Sequence, residues 1–204
     1  RCWQIRTSTE ASLQPTEGPP PLLDRIRAIP ASRRVRLPDS FSQDAAGKAA
    51  ADILRMNAES KNDILLLLPP GGSPNATLML AELLQLPETA PTIGVLCGAA
   101  ATTSQVLLQA CTIRGVSRHA ELSLRPLDFT HSMNALRFSL PDPSPTYALE
   151  DLSDAVASII QKQETMLALI AARTGISQER ILATLATKPD YSAAEAVAAG
   201  WADV

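Results

Sequence analysis

Histidine is nearly missing from this chain of 204 residues, which holds only His119 and His131. That excludes a multi-histidine metal site and leaves imidazole chemistry two places to start from. Cysteine is scarce too, at positions 2, 97 and 111, with no CxxC pair and no even set for a disulfide framework. The cysteines are expected as small apolar fillers in a reducing compartment. Long hydrophobic runs are absent: the longest, Ile64–Leu68, falls far short of the ~20 residues that cross a bilayer. The polar, Pro-rich start does not have the pattern of a secretory signal. An excess of positive charge is lacking as well. A net charge of -3 and a pI near 5.4 give no basic field for DNA or RNA. The expectation is a protein with no metal, no cofactor, no nucleic-acid partner and no membrane span.

What is present is 46% hydrophobic residues, in a length that suits one domain with its own core. Residues 1–33 differ in texture from the rest. The run Pro19-Pro20-Pro21 after Gly18 prevents one continuous helix or central strand, so this stretch reads as an extended N-terminal arm. From Arg34 to Val204 the pattern is that of a folded domain. Strands are expected at Arg34–Leu37, Asp63–Leu68, Thr92–Leu96 and Glu121–Leu124, and helices at Ala45–Ala58, Asn75–Leu86 and Thr102–Cys111. Residues 97–101 read as a small-residue turn. Strand, turn and helix in this alternation signal an α/β fold with parallel strands and crossover helices. Pro141, Pro143 and Pro145 mark a loop or insertion. A long helix then runs from about Tyr147 to Ala172, stopped by Gly175, and shorter helices follow at Ser177–Ala186 and Ser192–Ala199.

Two tight turns follow two buried strands, Pro70-Gly71-Gly72-Ser73 and Gly98-Ala99-Ala100-Ala101-Thr102-Thr103. In an α/β sheet the ends of adjacent strands are where ligands bind. Glycines there let backbone N–H groups point into the crevice, where a pair can hold a developing oxyanion. The plainer reading is two ordinary turns.

Together with Ser192-Ala193-Ala194-Glu195-Ala196-Val197 and the later Gly200 and Asp203, these turns resemble the proteolytic subunit of the Clp protease, ClpP. The order and rough spacing match from Arg34 to Val204, with Leu107-Leu108 in the helix that Gly98-x-Ala100-Ala101-Thr102 opens. The resemblance implies a ClpP/crotonase fold: repeated ββα units plus a long handle helix, here within a handle region of about 126–174 that carries an insertion. It also implies a heptameric ring of ClpP- or ClpR-type paralogous subunits, a stacked second ring, and a Clp-type AAA+ chaperone as partner. The arm 1–33 would then lie on the axial face.

The resemblance also assigns the reaction residues, and here the chain departs from the family. The serine nucleophile position holds Thr102, the histidine position holds Arg125, and the aspartate position holds Lys188, with Asp190 nearby but out of register. A triad needs a base that accepts the hydroxyl proton near neutral pH. Arg125 carries a guanidinium, which keeps its proton in proteins, and cannot be that base. Lys188 cannot orient an imidazole as a carboxylate does. Losing a comparable triad costs ~10⁶ in rate, roughly 8–9 kcal/mol of barrier. The backbone N–H groups of Gly71 and Thr103 stand as a vestigial oxyanion hole, and Thr102 is expected as a helix N-cap. Making His119 the base would break the strand register of Leu122 and Leu124, and His131 has no plausible partner.

Catalytically silent ClpP paralogues called ClpR look like this: lost triad residues plus extra sequence between the base and aspartate positions. The expected function is a structural subunit of a mixed Clp protease core, not an enzyme itself. Two other classes stay open, an active peptidase with a rearranged site and a crotonase-like acyl-CoA enzyme that uses the oxyanion hole alone. The Ala-rich composition and the start at Arg1 fit a processed plastid protein, so the expected compartment is the chloroplast stroma, with a bacterial cytoplasm as the alternative.

Overall fold

Consecutive apolar residues such as Ile64–Leu68 make a stable strand only when both faces of their sheet are covered. The structure, a computed structural model, describes residues 22–125, 145–187 and 190–204, with backbone alone over 145–152. It is an α/β fold. Its larger sheet is parallel, in the order β1 (Arg34–Arg36), β2 (Ile64–Leu68), β3 (Thr92–Leu96), β5 (Ile113–Val116). Helices α2 (Gln43–Glu59), α3 (Pro74–Leu84) and α4 (Thr102–Ala110) make the crossovers and share one core, as successive crossovers of one hand require.

The alternation along β2 shows the two covers. Ile64, Leu66 and Leu68 point into the large core beneath α2–α4, while Leu65 and Leu67 join a second, smaller cluster. That second cluster is closed by α1 (Leu22–Ala28), through Leu22, Ile26 and the following Ile29. The extended conformation expected of the arm therefore does not hold over these residues. Leu22 and Ile26, one helical turn apart, make an apolar stripe that begins as soon as the proline run ends. Residues 1–21 of the arm lie outside the described residues.

A smaller sheet sits at the carboxyl ends of the larger one. It consists of β4 (Ala99–Ala100), β6 (Glu121–Ser123) and β7 (Asp190–Ser192), with β4–β6 parallel and β6–β7 antiparallel. The sequence pattern hides three of these strands. β4 lies within the residues expected as a turn. β5 carries Arg114 and Gly115 in its middle, which interrupts the apolar run. β7 is polar, and pairing with β6 alone makes it a strand. The long helix α5 runs Pro145–Thr174, beginning on a proline that suits a first turn and ending before Gly175, whose φ of 72° stops it. It packs on α4 through Met166, Leu167 and Ile170. Helices α6 (Gln178–Thr187) and α7 (Ala193–Ala198) follow. Ser192 and Glu195 form a capping box on α7. Residues 126–144, which include His131, Pro141 and Pro143, lie outside the described residues. Among the described residues no helix is long and apolar enough to cross a membrane.

Two buried arginines fix the ends of this arrangement. Arg33, 5% exposed, gives its guanidinium to the carbonyls of Met56 (2.7 Å), Asn62 (2.5 Å), Asp63 (3.2 Å) and Ser60 (3.3 Å). A cation at the carbonyl end of α2 is favoured by the helix dipole. Arg114 clamps the C-terminal segment: its side chain meets Asp203 at 2.5 Å, its N–H donates to the same carboxylate at 2.9 Å, and Nη1 reaches Gln109 Oε1 and the Gly200 carbonyl. Backbone bonds from Val116 to Val204 and from Asp203 to Arg114 then cover the outer edge of β5. Burial alone would raise the Asp203 carboxyl, but the bonds from Arg114 and the charges of Arg114 and Arg173 outweigh it and hold the group below its ordinary value.

A carboxyl with a lowered folded-state pKa stabilises fully at pH above its unfolded value, and that stabilisation is lost as pH falls through the folded value. Asp203→Asn is expected to lower stability at neutral pH and to flatten the acid limb. The check is the unfolding free energy of parent and variant followed from about pH 6 to about pH 2. Parallel curves would exclude the clamp as a source of that limb.

Candidate functional site

The candidate site lies where β2, β3 and β6 end. After β2, the turn at Pro69–Ser73 is pulled sideways by Phe41, which bridges Gly72 and accepts the Ser73 N–H at 2.9 Å. A side chain at Gly72 would put its Cβ 2.6 Å from Phe41 Cβ and 2.9 Å from its carbonyl, so only glycine lets the chain pass. After β3, Gly98 takes a φ of 89°, a conformation that favours glycine, and turns the chain into β4. The Ala101 N–H donates to the Pro70 carbonyl at 2.7 Å and locks the two turns together. Gly71 then lies beside the first turn of α4: a methyl built on it would stand 3.5 Å from Ala101 Cβ and 3.9 Å from Thr103 Oγ1. The structure thus brings Gly71 and Thr103 together. Their N–H groups donate to no protein acceptor among the described residues.

Thr102 is the first helical residue of α4, and Ala101 occupies the N-cap. The expected capping role therefore fails, because the threonine stands one residue inside the helix. Its hydroxyl goes to a strand instead. Thr102 Oγ1 donates to the Arg125 carbonyl at 2.5 Å and accepts the Arg125 N–H at 2.8 Å. A hydroxyl has one proton, and here Arg125's backbone holds it.

The Arg125 side chain runs back along β6. Nε donates to Ser123 Oγ at 3.0 Å, and Nη2 lies 3.7 Å from Asp190 Oδ2. Asp190 is opposite Ser123 in the antiparallel pair, which explains why it meets the guanidinium. Both partners are about two-thirds exposed, so the pair is solvated and weak. The acidic group beside Arg125 is thus Asp190, which linear register had set aside. Strand pairing, which alignment along the chain does not see, brings it there. Lys188 lies outside the described residues.

No base stands near Thr102 among these contacts. Leu124, before Arg125, is fully buried and apolar, so shifting the alignment by one residue supplies none either. His119 is exposed in the turn between β5 and β6. Ser104 is 1% exposed, inside the core rather than in the crevice. Of the cysteines, Cys111 is the filler expected, its thiol pushed up to about 12 by burial. Cys97 is not: it is exposed at the end of β3, because the sheet ends there and the chain turns at Gly98. Among the described residues no group of three or more His, Cys, Asp or Glu side chains is placed to hold a metal.

Chemically, the arrangement offers two unpaired backbone donors at a helix N-terminus and an exposed permanent cation. The Thr102 hydroxyl is already bonded in both directions. The arrangement can polarise or hold an oxygen, and among the described residues no group placed to take a proton from Thr102 stands beside it. No protein-family model matches the chain, and neither does any curated protein.

The two glycines of the first turn are expected to respond differently. Gly72→Ala, forced against Phe41, should cost about 1–3 kcal/mol in denaturant unfolding. Gly71→Ala meets only ordinary contacts and should cost less than about 1 kcal/mol. Equal costs would contradict the described path of the turn.

Proposed function

We propose that this chain is a non-catalytic, ClpR-like subunit of a Clp-type protease core. In this reading it has the ClpP/crotonase fold, helps build a heptameric ring with active paralogues, and works with a Clp AAA+ chaperone. A chloroplast stroma is the compartment this reading favours. The observation that carries it is the state of Thr102. The residue at the nucleophile position donates its hydroxyl proton in a hydrogen bond to a backbone carbonyl, and the residue at the base position is an arginine. Supporting it are the strand–strand–helix order β3, β4, α4, the small sheet across the ends of the large one, and a long helix packed on α4. In this reading the motifs from Pro70 to Asp203 take up the turns after β2 and β3, α4, and α7 with the segment after it.

The unpaired N–H groups of Gly71 and Thr103 favour a second reading. An oxyanion hole without a triad is what a crotonase-like acyl-CoA enzyme uses, and isothermal titration with an acyl-CoA tests it directly. The lone donors give a hydrolase only ~10³–10⁴-fold over water, too little for a working peptidase.

Native mass spectrometry of the endogenous complex, combined with fluorophosphonate labelling, tests the main reading. The expected result is a mixed ring in which active paralogues are labelled and this chain is not. A stable monomer free of Clp-type partners, or a label on Thr102, would overturn it.

A further inference from the structure

The corner where Thr102, Arg125 and Asp190 meet moves no proton, yet it cross-links α4 to two strands of the small sheet. Among the described residues β6 pairs as far as Ser123, and the bonds shown for the Arg125 N–H and C=O go to Thr102. Arg125 is exposed, so water competes for both groups, and a single side chain, that of half-buried Thr102, meets both. We propose that this corner is a strap. Thr102 holds the end of β6 on the first turn of α4, Arg125 carries the tie on to β7, and the small sheet opens from α4 as one unit. Chemistry at Thr102 cannot begin until the strap opens, because its hydroxyl is committed while the strap is closed. The inference stands on these contacts alone and does not depend on the family reading.

The strap has two layers of unequal strength. The inner layer is the hydroxyl, bonded at 2.5 and 2.8 Å on a half-buried residue. The outer layer is the Arg125–Asp190 pair, 3.7 Å apart and exposed, which salt screens. Threonine suits the inner layer better than serine. Its β-branch restricts χ1, so less freedom is lost in aiming the hydroxyl at one residue's N–H and C=O. Valine keeps the shape and removes both bonds.

Amide hydrogen exchange on the full chain reads the strap directly. Thr102→Val is expected to speed exchange of the Arg125 amide by about 10-fold, with the Tyr191 amide on β7 speeding together with it. Thr102→Ser should give about 3-fold. Asp190→Asn, or salt raised to about 0.5 M, should change it by less than about 2-fold. The proposal is overturned if the parent Arg125 amide exchanges as an unstructured one, if Thr102→Val leaves it unchanged, or if Asp190→Asn matches Thr102→Val. Should Thr102→Val fail to fold, a larger effect of Thr102→Ser than of Asp190→Asn carries the proposal, and the reverse order sinks it.

Discussion

Burial of both faces of the parallel sheet is the constraint from which the rest follows. β2 and β3 have apolar side chains pointing both ways, so neither face can be left to water. Three crossover helices cover one face and α1 closes the other. Irregular backbone is then confined to the strand ends, because a loop across either face would leave polar groups unpaired in the core. The Gly-rich turns after β2 and β3 sit together for that reason, joined by the Ala101–Pro70 bond. The crevice is thus a by-product of covering the sheet, and the chemistry available there depends on which side chains the turns present.

Exposure decides what Arg33, Arg114 and Arg125 each do. Arg33 and Arg114 are buried, and every charge taken from water must be met: by carbonyls at the end of α2 for the first, by Asp203 for the second. Removing either partner would strand a buried charge, so these arginines are structural. Arg125 is about two-thirds exposed, and its charge is solvated whether or not Asp190 is near. Its side chain therefore adds little to stability, and its backbone, through Thr102, adds more. The same residue type thus anchors the fold where it is buried, at Arg33 and Arg114, and marks the crevice where it is exposed, at Arg125.

Those distinctions set how much of the molecule could be read from its sequence. Strong apolar runs and their breakers located β2, β3, α2, α3 and α4 within a few residues, because each obeys one dominant period. The elements that escaped owe their form to partners distant in sequence. β5 tolerates Arg114 only because Asp203 neutralises it, and β7 is a strand only beside β6. At the site, the glycines and Thr102 stood out because turn chemistry is local. The bond from Thr102 to Arg125 and the approach of Asp190 were hidden, since each depends on a register between strands that no linear spacing records. Cys97 was misjudged for a similar reason: whether a small residue is a filler depends on where the sheet stops.

A histidine base and an arginine differ most in what they do over time. In a working triad the imidazole is neutral at rest and cationic only as the transition state forms, and a carboxylate stabilises that brief charge. On the proposed reading, Arg125 beside Asp190 holds a positive charge there permanently. The electrostatic complement of the activated state is present, while the change that drives proton transfer is not. On that reading, a site frozen in this way keeps the tie of the hydroxyl between α4 and the end of β6, with a weak, solvated pair reaching β7. It loses only the step that needs a group to change its charge. On that reading, architecture and catalysis rest on different properties of one corner: the contacts hold α4 and β6 together, and a residue that cannot titrate removes the proton transfer alone.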